Sequence, residues 1–137
     1  ADDPDPFHHD SRRFEVATSC VPLMAGLRCS LDLLEQEGSD DERLGQIRIL
    51  SEQLWKELKS IPGVSPLLDG PPPAGLVSFE MNALRTGSTP SEVVKTLGAD
   101  QIWIRDLADP VCLRACTHIS TTSNELSTLT DAINRIR

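Results

Sequence analysis

Aromatic side chains are scarce in this chain: 4% of 137 residues, with two Trp, three Phe and no Tyr. Any core must therefore be built from aliphatic side chains. Long apolar runs are also missing. No stretch approaches the eighteen or so consecutive apolar residues that a membrane span requires, and no apolar segment follows a basic start as in a secretory signal. Lysine is rare, with Lys56, Lys59 and Lys95 the only three among 13 basic residues. Against 21 acidic residues they leave a formal charge of −8, a field that repels a nucleic-acid backbone or an anionic bilayer and excludes both as expected partners. The familiar signatures of nucleophilic and nucleotide chemistry are absent too. There is no Gly-x-Ser-x-Gly, no phosphate loop and no dinucleotide fingerprint, and His118 has no base-orienting carboxylate close to it in sequence.

With 39% apolar and 25% charged residues, the composition is that of an ordinary globular protein. The length suits one domain and not two. The chain starts Ala1-Asp2-Asp3-Pro4 without an initiator Met, which leaves open a fragment or a processed product. Four cysteines, Cys20, Cys29, Cys112 and Cys116, permit three disulfide connectivities. A chain this rich in aliphatics does not need staples, so free thiols in a reducing cytoplasm are expected. Cys112, Cys116 and His118 match no common structural zinc spacing and lack an evident fourth ligand, so no metal is expected. His8-His9, in an acidic Pro-containing lead, reads as part of a solvated tail.

Residues 1–13 read as an extended or disordered lead and 14–137 as a single domain. Leu23, Leu27, Leu31 and Leu34 recur at helical spacing, with Pro22 in the first turn and Gly38 as a C-terminal cap. Ser39-Asp40-Asp41-Glu42 is a capping box opening a second helix, whose stripe runs through Leu44, Ile47, Leu54 and Leu58 to Ile61. The Pro-rich stretch 66–75 is a loop, preceded by a short edge strand near Val64. Val77, Phe79 and Met81 alternate with Ser78 and Glu80 as a strand. Thr89-Pro90-Ser91-Glu92 and Thr122-Ser123-Asn124-Glu125 are two more capping boxes. Between their helices, Ile102–Ile104 and Val111–Cys116 read as strands joined by residues 106–110. The order α, α, β, β, α, β, β, α predicts an α+β fold, an antiparallel or mixed sheet covered by helices.

The strand 111–116 carries the most chemical information. Alternation puts Val111, Leu113 and Ala115 on one face, toward the helices, and Cys112, Arg114 and Cys116 on the other. Arg114 in mid-strand, with Arg105 nine residues earlier across the predicted hairpin, would suit a ligand with one or two carboxylates, which a guanidinium grips through paired hydrogen bonds. On spacing alone the simpler reading is that both arginines pair with Asp106, Asp109 or another surface acid. The segment Arg12 to Ser19 mixes charge with small hydroxyl residues ahead of a helix. It fits an anion contact through Thr18 or a plain helix lead equally well.

Three segments together resemble a known family. Arg13-Phe14-Glu15-Val16-Ala17-Thr18 before a Pro-containing helix, Gly63-Val64 after a long helix, and Leu113-Arg114-Ala115-Cys116 before Thr122-x-x-Glu125-Leu126 are similar to the C-terminal part of the class V aminotransferase superfamily. These are fold-type I pyridoxal-phosphate enzymes, and the likeness is to the cysteine/cystine C–S lyases of the cysteine desulfurase-like group. The resemblance runs from about Arg12 to Ile136. It implies that Arg114 holds a substrate α-carboxylate and that Arg105 grips a second carboxylate. It also implies that Thr18 reaches the cofactor phosphate of the other subunit in a homodimer. The implied reaction is β-elimination on a small sulfur amino acid, giving pyruvate, ammonia and a sulfide or persulfide, with an N-terminal large domain as partner. None of the three lysines lies in the family's cofactor-lysine motif, so the chain by itself is expected to be inactive. The stretch 104–110 has no Cys where a desulfurase carries its nucleophile. Cysteine desulfurase, selenocysteine lyase and epimerase remain alternatives within the superfamily, and a non-enzymatic interaction module remains the alternative outside it.

Overall fold

The computed structural model describes residues 8–15, 20–82 and 89–136, and the chain divides into two units, Ala1–Gly38 and Ser39–Arg137. In the first unit Asp10 caps a short 3-10 turn, Ser11–Phe14, accepting from the Arg12 backbone N–H and pairing with its guanidinium at 2.7 Å. Helix α1 follows, Val21–Gln36, with Pro22 in its first turn, where the missing N–H costs nothing. None of its residues is buried.

The second unit is an α+β layer: helices α2 (Asp40–Ser60), α3 (Pro90–Ala99) and α4 (Ser123–Ile136) with strands β1 (Val64–Pro66), β2 (Leu76–Met81), β3 (Arg105–Ala108) and β4 (Val111–Cys116). All three helices start at capping boxes. Ser39 and Glu42, Thr89 and Glu92, and Thr122 and Glu125 exchange side-chain and backbone hydrogen bonds, satisfying N–H groups that a helix start otherwise leaves unpaired. The sheet has order β1-β2-β4-β3 with every neighbour antiparallel. Helix α3 is the crossover that carries the chain from β2 to the far edge.

Strand alternation turns Val77 and Phe79 of β2 and Leu113 and Ala115 of β4 into one apolar cluster with Leu54 and Leu58 of α2, Leu97 of α3 and Ile133 of α4. The three helices therefore all stand on the same face of the sheet. Phe79 is wholly buried and, among the described residues, is the one aromatic side chain fully inside. The loop after β1 is tied to α2, with the Trp55 indole donating to the Leu68 carbonyl and the Arg48 guanidinium to that of Pro73. Gly75 sits against the Thr117 carbonyl, with which a Cβ would collide.

One strand and one side chain differ from the sequence expectation. The third strand is Arg105–Ala108, not Ile102–Ile104. Ala108 pairs with Val111, so the hairpin turn is only Asp109–Pro110, joined by a cis peptide bond. That short turn pulls residues 105–108, not the apolar triplet, into register with β4. Ile102 instead lies just past the C-terminus of α3, its N–H donating to the Leu97 carbonyl behind Gln101 at φ 62°. Ile102 and Ile104 still pack on the core while Trp103 points out, 76% exposed. The alternation of the triplet is real, but it has no partner strand. Val111, which the alternation puts on the helix side, also stays exposed, at the tip of the hairpin beside the turn.

Replacing Phe79 by Ala should cost about 3–5 kcal/mol, seen as a lower denaturant midpoint at unchanged slope. The cap hydrogen bonds from Thr122 hold the Glu125 carboxyl below its ordinary value of 4.5. Its contribution is therefore complete above that value and lost as pH falls through the lowered one. Glu125→Gln should reduce stability at neutral pH and flatten the acid limb of a melting-temperature profile below about pH 5.

Candidate functional site

Among the described residues of the second unit, no helix lies on the face of the sheet opposite α2, α3 and α4. The side chains on that face follow from register. Arg114 of β4 stands directly opposite Ser78 of β2 on one side and Arg105 of β3 on the other. One row across the sheet thus reads Ser78, Arg114, Arg105. The next row places Cys112 opposite Leu107, with Glu80 close enough to influence its thiol. Cys116 and Leu76 pair at the other end, both exposed.

Two like charges in directly opposed positions oppose strand pairing, so internal counter-ions would be expected if the arginines were only structural. Among the described residues neither Arg105 nor Arg114 has an acid within 4 Å. The ion pairs there are Asp10–Arg12, Asp40–Arg43, Glu52–Lys56 and Asp100–Arg135. Asp106 is the next residue along β3, so its side chain leaves by the opposite face from Arg105, and Asp109 lies in the turn. The simpler expectation, that both arginines pair with nearby surface acids, is not what the fold provides. Arg114 is half-buried and Arg105 exposed. This arrangement offers two planar, permanently charged forks to solvent from one row, suited to carboxylate or similar anions.

Cys112, though on this face, is only 1% exposed. Burial pushes its thiol pKa up, the Arg114 charge pulls the other way, Glu80 adds to the rise, and a hydrogen bond with Ser78 opposes it. The thiol form is thus favoured, and with it low nucleophilicity. A cleft of about 240 Å³ opens beside it, lined by Glu80, Met81, Asn82, Pro90, Val111 and Leu113.

The lysines lie elsewhere. Lys56 on α2 pairs with Glu52 at 2.6 Å, Lys59 stands 4.5 Å from the Trp55 ring centre, and Lys95 is on α3. Thr18 falls outside the described residues. No three His, Cys, Asp or Glu side chains come together among the described residues; the His118 ring contacts Ser120 at 3.2 Å. Ser78 and Glu80 are the neighbours that sequence reasoning missed. Their alternation in β2 was visible, but which strand they would face was not.

This is the α+β fold of the small domain of fold-type I pyridoxal-phosphate enzymes, the kind of domain carried by cystine C–S lyases and cysteine desulfurases. In particular, the chain is similar to the cystine C–S lyase C-DES solved with its reaction product cysteine persulfide, at 38% identity and TM-score 0.83, over 91% of this chain and 32% of that one. A C-DES mutant with glycine covalently linked to its pyridoxal-phosphate cofactor superposes at TM-score 0.84 and 37% identity, over 92% of this chain and 32% of that one. The cysteine desulfurase CsdA from Escherichia coli shares the fold at TM-score 0.72 and 22% identity, over 89% of this chain and 32% of its own. The chain spans about a third of the length of these structures. No protein-family model matches it, and no curated protein does.

Alkylation of the native chain at mildly alkaline pH should modify the exposed Cys20, Cys29 and Cys116 quickly and leave Cys112 unmodified until the chain is unfolded. Mass mapping of the labelled peptides checks this.

Proposed function

We propose that these residues form the C-terminal, substrate-carboxylate-binding domain of a pyridoxal-phosphate-dependent cysteine/cystine C–S lyase of the class V aminotransferase superfamily. The observation that carries the proposal is the opposed Arg105–Arg114 pair, without an acid within 4 Å among the described residues, on the helix-free face of the sheet. The identity of 37–38% to C-DES over nine-tenths of the chain supports the same reading.

The described residues fit the carboxylate end of the substrate and not the covalent end of the cofactor. Pyridoxal phosphate, held by the remainder of the enzyme, supplies the electron sink for breaking the C–S bond. The chain's own part is orientation. Arg114, steadied by its half-buried place in mid-strand, takes the α-carboxylate of a sulfur amino acid and fixes how Cα and Cβ are presented. Arg105, one strand further out, takes a second carboxylate, as cystine would bring. Holding the substrate by both ends turns a loose encounter into a fixed pose, and this is the catalytic contribution of positioning. By the family resemblance Thr18 contacts the cofactor phosphate across a homodimer. With its cysteines free and an acidic charge, the enzyme acts in the reducing cytoplasm and has no nucleic-acid or membrane partner.

Lyase is preferred to desulfurase because the β3–β4 turn is just Asp109–Pro110. That leaves no loop between the strands to carry a mobile nucleophilic cysteine, and Cys112 is buried with its thiol form favoured. Selenocysteine lyase and epimerase activities are the remaining relatives in chemistry, and product analysis separates them.

In the full-length enzyme, Arg114→Ala should lower kcat/KM about 10- to 150-fold on every amino-acid substrate, the loss of a charged hydrogen-bond pair. Arg105→Ala should lower it for cystine and leave a monocarboxylate thioether substrate nearly unaffected. Equal losses on both substrates for Arg105→Ala would overturn the two-carboxylate assignment, and no loss for Arg114→Ala would overturn the site.

A further inference from the structure

We infer that the cleft between residues 100–104 and the end of β4 is a binding site for a small organic cation, an ammonium ion carrying an apolar body about one ring in size. The cleft holds about 390 Å³, within the range of small-molecule sites, roughly 300 to 1,000 Å³. It exists because the apolar triplet 102–104 does not join the sheet. Arg105 pairs with Arg114, and continuing that register would put Ile104 opposite Ala115 and Trp103 opposite Cys116. The ladder stops at Arg105 instead, and the space between the triplet and the end of β4 stays open. The buried Leu54, Leu126 and Leu129 form its floor.

Two backbone positions along one wall run against local preference. Gln101 holds φ 62°, the left-handed conformation after a helix that normally falls to glycine. A side chain is strained there, and this one lines the cleft. Gly98 lies inside α3, where alanine is the more stable choice, yet a Cβ on it would come 3.2 Å from the Trp103 ring. The missing Cβ lets that ring lie against the last turn of the helix while Trp103 stays largely exposed. Among the described residues no cation lies over it, whereas Lys59 stands 4.5 Å from the Trp55 ring centre. An aromatic face held in place and left open is a seat for a cation.

The charge of the lining selects the same ligand. Asp100 and Glu125 are its carboxylates, and no Lys, Arg or His lines it. Thr122 caps Glu125 and holds its carboxyl below the usual range, so that group is ionised at neutral pH. Arg135 reaches Asp100 only at 3.6 Å, with both side chains more than half exposed, a contact of little strength. An anion would meet two like charges. A purely apolar ligand would strip water from the carboxylates and give nothing in return. An apolar body with an ammonium end satisfies floor, ring and carboxylates together.

Phenethylammonium is the probe, titrated into the 137-residue chain and followed by proton–nitrogen correlation spectra. The Trp103 indole and Gln101 side-chain amide signals should move along one saturating curve while the Trp55 indole stays in place. Phenethyl alcohol, the neutral counterpart, should bind about tenfold more weakly, and phenylpropionate should give no saturable shift. Asp100→Asn should weaken phenethylammonium binding about threefold or more at an unchanged melting temperature. Gly98→Ala, which pushes the ring from its seat, should weaken it too, with helix content intact by circular dichroism. No saturable shift at Trp103, equal binding of the alcohol, or unchanged affinity in either variant overturns the inference. No cofactor or turnover enters the measurement, so its failure leaves the enzyme reading standing.

Discussion

Leu113 and Ala115 cannot be buried under the helices without turning Arg114 to the other side of the sheet. That coupling, fixed by the two-residue period of a strand, is the constraint on which the candidate site depends. Phe79 and Val77 apply the same rule in β2 and send Ser78 outward to stand beside Arg114. The hairpin turn at Asp109–Pro110 applies it in β3, setting Arg105 opposite Arg114. The core and the arginine row are thus two faces of one arrangement, and packing energy on the helix side holds in place a charge pair that would not assemble by itself.

The electrostatic setting reinforces this. A chain with a net charge of −8 has abundant acids to neutralise two arginines, yet it spends them on helix caps and on ion pairs elsewhere. An exposed salt bridge contributes little to stability, so the exposed Arg105, with no acid within 4 Å among the described residues, costs the fold little by lacking one. The arrangement places two positive charges side by side within a negative field, which is the feature the proposed carboxylate site relies on.

Much of the fold was legible in the sequence because its boundaries are written in local chemistry. The capping boxes at Ser39, Thr89 and Thr122 define their helix starts by reciprocal hydrogen bonds that need no tertiary context. The alternation in 77–81 likewise identifies β2. The site was legible in its identities but not in its geometry. Arg105 and Arg114 could be picked out by residue type, whereas their direct opposition depends on turn length, and the apolar triplet Ile102–Ile104 is a stronger local strand signal than Arg105–Ala108. The neighbours Ser78 and Glu80 lie across a non-sequential pairing, β2 with β4, which no spacing rule along the chain reveals. The unburied stripe of α1 shows the complementary limit: helical period says which side chains share a face and not what covers it.

The central claim is that Arg105 and Arg114 together hold the carboxylates of one ligand. It is tested most directly by following the guanidinium Nε–Hε resonances of both arginines while the full-length enzyme is titrated with a diamino dicarboxylic acid that lacks a cleavable C–S bond. The two signals should shift together and saturate at a common ligand concentration, while those of Arg43 and Arg48 on α2 stay in place. Independent saturation of the two, or shifts no larger than those on α2, would contradict the claim.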